Sequence, residues 1–196
     1  LLLTVAFALN YSANAQWTAQ NTNFTADSRG VDDIKIVDAN TVWALGYDGS
    51  STTPANVQEF TKTTNGGTTW TTGTVNVSNT GLTLTNISAA SSTVAWVGAV
   101  DAANGGGGVW KTSDGGATWT KQNTSAYSTT GSLASYFNVV HFFDANNGLT
   151  QGDPIGTGVG EFEVYRTTNG GTSWTAVPAA SLPNPATGEY GYNGGN

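Results

Sequence analysis

The octapeptide pattern Thr-x-Asn/Asp-Gly-Gly-x-x-Trp occurs three times in this chain, and no other feature restricts its folding as much. The copies are Thr63-Thr64-Asn65-Gly66-Gly67-Thr68-Thr69-Trp70, Thr112-Ser113-Asp114-Gly115-Gly116-Ala117-Thr118-Trp119 and Thr167-Thr168-Asn169-Gly170-Gly171-Thr172-Ser173-Trp174. Each follows a basic residue (Lys62, Lys111, Arg166) and a short apolar or aromatic run such as Gly108-Val109-Trp110. Asn and Asp accept hydrogen bonds from nearby backbone N–H groups, and Gly reaches positive φ without steric cost. Asx-Gly-Gly between two β-rich runs therefore predicts a hairpin turn. The Thr before it can bond the turn backbone, and the Trp after it buries enough area to anchor an otherwise loose polar loop.

A second unit repeats ahead of each turn. It reads Ile34 to Gly46, then Ile87 to Gly98, then Val140 to Gly152: a short apolar strand, a polar turn, and a second apolar strand closed by Gly. Ile34, Ile87 and Val140 are 53 residues apart, and Trp43, Trp96 and Leu149 keep the same register. Gln16-Trp17-Thr18-Ala19-Gln20 resembles the segment after a turn, and Trp17 precedes Trp70 by the same 53 residues. Four strands per period of about 50 residues, with Trp/Gly turn chemistry, predict an all-β fold: a partial β-propeller of four-stranded antiparallel blades. The repeats fall near 17–69, 70–118 and 119–173, with the start of a further blade over 174–196. Residues 16–196 are thus expected to form an incomplete propeller domain of about three and a half blades. A ring of this kind has four to eight blades, roughly, and would close on a blade encoded further on. A β-sandwich or solenoid with similar turns is the alternative.

Composition excludes several function classes. Only 10% of residues are charged and 32 are Thr, which suits pleated sheet surfaces and not long helices. A net charge of −7 with six basic residues leaves no electrostatic footprint for nucleic acid. Cys is absent, so disulfides, thiolate metal sites and cysteine nucleophiles are excluded together. One His makes a histidine metal cluster or a His-centred triad hard to build, and no cofactor or metal is expected. Leu1 to Leu9 is an apolar run too short to span a bilayer. Ala13-Asn14-Ala15 then supplies a small-residue cleavage pattern, so residues 1–15 read as the remnant of a secretory signal peptide.

The turn pattern resembles the Asp-box, or bacterial neuraminidase repeat, of sialidases, xyloglucan-cleaving propeller glycosidases, sortilin-type receptors and photosystem II assembly-factor-like propellers. The unit Asp144-Ala145-Asn146-Asn147-Gly148 looks most like the assembly-factor-like group, although Leu149 stands where a Trp is expected. An apolar leader before Asn/Thr/Gly-rich blades is also similar to secreted proteins of Bacteroidetes-type bacteria. In such propellers the box lies on the blade rim, away from the central site. The resemblance therefore implies structural roles for Thr63, Asn65, Gly67 and Trp70, for Thr112, Asp114, Gly116 and Trp119, and for Thr167, Asn169, Gly171 and Trp174.

Function must be argued from a site and not from the fold. A sialidase-like enzyme would clamp its substrate carboxylate with three arginines, whereas this chain has Arg29 and Arg166 alone. A glycosidase of another propeller type needs two carboxyl groups roughly 5–9.5 Å apart. The candidates are Asp33, in register with Asn86 and Val139, together with Asp101 and Asp153. Adjacent strand residues point to opposite faces, so Asp32 and Asp33 cannot serve one substrate unless the backbone distorts. Tyr127, Tyr136, Tyr190 and Tyr192 are candidates for stacking on sugar rings, or for packing. The preferred reading is a secreted or cell-surface propeller that binds protein or polysaccharide without catalysis. A glycoside hydrolase is the alternative.

Overall fold

The computed structural model describes residues 18–50, 55–122, 127, 135–155 and 160–191. The expected leader, Trp17 and Tyr192 lie outside them. The described residues form three four-stranded antiparallel sheets, each made of four consecutive strands in simple sequential order. The first contains β1 (Arg29–Ile36), β2 (Val42–Asp48), β3 (Glu59–Thr63) and β4 (Thr71–Thr74). The second contains β5 (Thr83–Ala89), β6 (Ala95–Val100), β7 (Gly108–Thr112) and β8 (Thr120–Lys121). The third contains β9 (Phe137–Phe142), β10 (Gly148–Pro154), β11 (Phe162–Thr167) and β12 (Thr175–Ala176). A 3-10 turn at Ala179–Ser181 follows. Each repeated Asx-Gly-Gly segment joins the third strand of a sheet to its fourth, as the sequence predicts. Both central glycines adopt positive φ in all three copies, between 67° and 95°.

The sheets stack face to face in chain order. β5 packs on β1 and β2, and β9 packs on β5 and β6, which puts the first strands side by side. The apolar core lies between sheets. One cluster joins Trp43, Leu45 and Phe60 of the first sheet to Ile87, Ala89 and Val97 of the second. The other joins Trp96, Val100 and Val109 of the second to Phe137, Val140 and Phe142 of the third. β6 is the middle layer of this stack, and every one of its residues is buried. The run Ala95-Trp96-Val97-Gly98-Ala99-Val100 is therefore apolar throughout and does not alternate.

All three first strands carry a bulge at the same place in the repeat. Asp32 is the extra residue between Val31 and Asp33, Thr85 between Leu84 and Asn86, and Asn138 between Phe137 and Val139. A bulge kinks the strand and re-aims the side chain after it. Those side chains are Asp33, Asn86 and Val139, and the first two bond to the next sheet.

Candidate functional site

The three turns share one hydrogen-bond network. In the first, Thr63 Oγ1 accepts from Gly67 N at 3.0 Å and from Asn65 N at 3.3 Å, and donates to Asn65 Oδ1 at 3.0 Å. Asn65 Oδ1 also accepts from Thr69 N at 2.9 Å. Thr112 and Asp114 repeat this with Gly116 N at 2.9 Å and Thr118 N at 2.9 Å. Thr167 and Asn169 repeat it with Gly171 N and Ser173 N, both at 3.0 Å. The Thr and Asx side chains thereby close each turn from within. The middle copy alone carries a charge. Hydrogen bonds from the Thr118 hydroxyl, the Thr118 backbone N–H and the Thr112 hydroxyl lower the Asp114 carboxyl to about 2.

The second and third turns are also gripped by the preceding sheet. Lys62 Nζ donates to Ser92 O at 2.8 Å and to Gly115 O at 2.9 Å, while sitting 4.4 Å over the Trp43 ring. The Trp43 indole N–H donates to Ser91 O at 3.0 Å. One sheet further on, Lys111 Nζ and the Trp96 indole N–H both donate to Gly170 O, at 2.9 and 3.1 Å. Trp119 meets Trp43 and Phe60 edge-on, and Trp174 does the same with Phe142. In the third sheet the corresponding residues are Leu149 and Arg166, and Arg166 is exposed.

The candidate carboxylates are all occupied within the fold. Asp33 is buried; its Oδ1 accepts from Ile34 N at 2.9 Å, and its Oδ2 accepts from Ile87 N of the next sheet at 2.8 Å. Its register mate Asn86 does the same one sheet on, accepting from Val140 N at 2.9 Å and donating to Val140 O at 2.8 Å. The third register mate is Val139, whose side chain has no polar atom to offer. Asp101 caps its own loop by accepting from Ala103 N, Asn104 N and Asn104 Nδ2. Asp153 Oδ1 accepts from Asn138 Nδ2 at 2.7 Å and from Gly191 N at 2.8 Å. Asp32 has its carboxyl pushed up, first by partial desolvation and then by Asp33. Arg29 forms a two-pronged pair with Glu59, at 3.2 and 3.3 Å, and approaches Asp48 at 4.0 Å.

One titratable cluster escaped the sequence reading. Ser135 Oγ donates to the buried Glu163 carboxylate, Tyr165 OH donates to its other oxygen at 3.2 Å, and Tyr127 OH donates to Thr150 Oγ1 at 2.8 Å. Burial raises the Glu163 carboxyl and the Tyr127 phenol, and moves Tyr165 up to about 12. Glu163 sits in an otherwise apolar strand run, and that was its only signal. Tyr127 is buried and meets Phe137 edge-on, so packing and not stacking on a ligand accounts for it. Tyr136 packs against the second core cluster, whereas Tyr190 is exposed.

Among the described residues no group of three His, Asp or Glu side chains converges as metal ligands would. No helix among them is long and apolar enough to cross a membrane.

No known protein-family model matches the chain, and no curated protein matches it in sequence. Solved structures do match it in fold. YCF48 from Cyanidioschyzon merolae is 20% identical with a TM-score of 0.52, over 83% of this chain and 44% of that one. The GH74 xyloglucanase from Xanthomonas campestris is 16% identical with a TM-score of 0.53, over 76% of this chain and 22% of that one. The Niastella koreensis GH74 enzyme is 17% identical with a TM-score of 0.51, over 82% and 24%. The chain thus spans less than half the length of these structures. The likeness establishes the fold as part of a β-propeller. The YCF48 match supports the assembly-factor-like resemblance at the level of fold.

Proposed function

We propose that this chain is part of a secreted or cell-surface β-propeller that acts as a non-catalytic binding module for protein or polysaccharide, with its repeated turns serving as Asp-boxes of structural purpose. The observation that carries this reading is the fate of the candidate acids. Asp33, Asp101 and Asp153 each spend their carboxylate on internal hydrogen bonds. A glycosidase instead requires two carboxyls that face one bond across a substrate. Arg29, needed free for a sialidase-like clamp, is committed to Glu59. What remains is a rigid frame that holds loops in fixed places, which suits recognition.

Glycoside hydrolysis is the second reading, favoured by the likeness to GH74 enzymes and by the raised carboxyl of Asp32. A single experiment separates the two. The protein is incubated with immobilised plant and bacterial polysaccharides, and both retention and released reducing ends are measured. Retention without release is the expected result. Release that disappears in folded Asp32→Ala or Asp33→Ala protein would replace the module with the hydrolase.

A further inference from the structure

Two positions of the repeat form an ion pair in one sheet and keep only half of it in another. Arg29 and Ser135 stand five residues before Ile34 and Val140, and Glu59 and Glu163 stand four residues before Thr63 and Thr167. In the first sheet the Arg29 guanidinium holds the Glu59 carboxylate at 3.2 and 3.3 Å. In the second sheet the corresponding residues are Leu82 and Gly108, neither of them charged. The third sheet keeps the acid and lacks the base. Glu163 is 8% exposed, and the groups that donate to it are the neutral hydroxyls of Ser135 and Tyr165. All six basic side chains are placed elsewhere. Arg29 is with Glu59, Lys62 and Lys111 are on backbone carbonyls, Lys121 is over Trp110, Arg166 is exposed and Lys35 is on β1. Glu163 shares a sheet face with Val140, because Thr150 pairs with both Tyr165 and Val140. His141, next to Val140 along β9, therefore lies on the other face. Of the remaining titratable groups nearby, Tyr127 donates to Thr150, Glu161 is exposed, and Asp153 is bonded to Asn138 and Gly191. Asn104 and Ala103 cap Asp101 and hold its carboxyl below the ordinary range.

A buried carboxyl with no cation beside it is costly when ionised and tolerated when protonated. Burial accordingly pushes the Glu163 carboxyl up. Ser135 connects this group to a joint between sheets. Its hydroxyl donates to Glu163, while its carbonyl accepts from Gly106 N at 2.6 Å. Beside it, Phe137 N donates to Gly106 O at 3.2 Å, and Asp153 N donates to Tyr136 O at 2.9 Å. Gly106 belongs to the run Gly105 to Gly108 at the end of the β6–β7 connection, with φ from 80° to 146°. Such a run has little conformational preference of its own, so its place depends on the bonds to Ser135 and Phe137. Water can solvate an ionised Glu163 only when Ser135 moves off it, and that movement releases Gly106.

We propose that Glu163 makes this joint between the second and third sheets a pH-sensitive one, closed while its carboxyl is protonated and loosened as it ionises. The sign follows from linkage. A carboxyl raised by closure favours the closed joint fully below its ordinary value of 4.5 and loses that contribution as pH rises through the raised value. The proposal concerns conformation and does not depend on what the propeller binds. Its test is amide hydrogen exchange of the protein between pH 4.5 and about 8, read by NMR as protection factors so that the intrinsic effect of base cancels. Protection of the Gly106 and Asp153 amides should fall severalfold across this range. The Gly49 amide, bonded to Ser28 O beside the Arg29–Glu59 pair, should keep its protection. Glu163→Gln retains size and an acceptor without the charge, and should leave Gly106 and Asp153 protected throughout. Ser135→Ala removes a donor that favours the ionised form, so the fall should move to higher pH. Constant protection in the parent, a fall that persists in Glu163→Gln, an equal fall at Gly49, or a fall unmoved in Ser135→Ala would each overturn the proposal.

Discussion

At the residue scale, chemistry differs between turns whose geometry is the same. Asp114 is the one titrating member of a series whose other members, Asn65 and Asn169, are neutral amides. Its folded carboxyl titrates at about 2, below the ordinary value of 3.8. Between these values the unfolded chain binds more protons, so stability rises with pH across the window. The Asp114 contribution is fully present above pH 3.8 and is lost as pH falls through 2. Acid unfolding of Asp114→Asn protein, followed by tryptophan fluorescence, should therefore show a shallower slope between about pH 4 and 2 than the parent. An unchanged slope would mean that the Thr118 and Thr112 hydrogen bonds do not hold the carboxylate. The glycines offer a second contrast. Gly116 has φ of +95° and the Phe60 ring where a Cβ would go, whereas Gly188 has φ of +78° and open space. Gly188→Ala should cost about 1–2 kcal/mol from left-handed backbone alone. Gly116→Ala should cost about 3 kcal/mol or more, because overpacking adds to the strain. Urea midpoints measure both.

At the element scale, the bulge in each first strand is the organising device. It turns Asp33 and Asn86 towards the following sheet, where each takes the backbone N–H of the residue at the repeat position of Ile34. The register of Asp33, Asn86 and Val139 is legible in the sequence, and it placed Asp33 among the candidate acids. The use to which the carboxylate is put was not legible, because a bulge shows no local composition signal. Asn86→Ala would leave both Val140 N–H and Val140 C=O without the side chain that bonds them. Buried groups so treated cost about 1–3 kcal/mol each, and the variant should lose about 2–4 kcal/mol in urea unfolding. Asp33→Asn keeps an acceptor for Ile87 N but gives up the one for Ile34 N, and should lose less than Asn86→Ala. Equal losses would show that the amide does not keep the bond to Ile87 N that joins the first two sheets.

At the scale of the whole molecule, the stack has two unlike outer faces. Ile34 and Ile36 are 52% and 68% exposed, although Ile87 and Val140, the register mates of Ile34, are fully buried against the preceding sheet. Ile87→Ala should cost about 2–5 kcal/mol, as large-to-small changes in a core do. Ile34→Ala should stay within about 0.5 kcal/mol. A large loss from Ile34→Ala would mean that this face is covered in solution. On the opposite face the devices that grip a following sheet change together: Val139 for Asn86, Leu149 for Trp96, and exposed Arg166 for Lys111. Substitutions along the repeat thus follow which junction a residue serves.

Strands, turns, the four-strand period and the all-β class could be read from the chain, because these rest on local chemistry. Asx-Gly-Gly turns, apolar runs of fixed spacing and tryptophan anchors act over short stretches of neighbouring residues. What the side chains between sheets do was settled by packing, over distances the sequence does not display. Asp33 reaches a backbone amide 54 residues away, and Lys62 a carbonyl 53 residues away. The Phe60 ring covers Gly116 where Gln20 covers Gly67 and Gln122 covers Gly171, because Gly73 stands at their place in the repeat. The exchange of Gln122 for Gly73 and of Val109 for Phe60 is readable in the repeat. That the ring of one partner crosses over to fill the place of the other follows only from how two sheets pack.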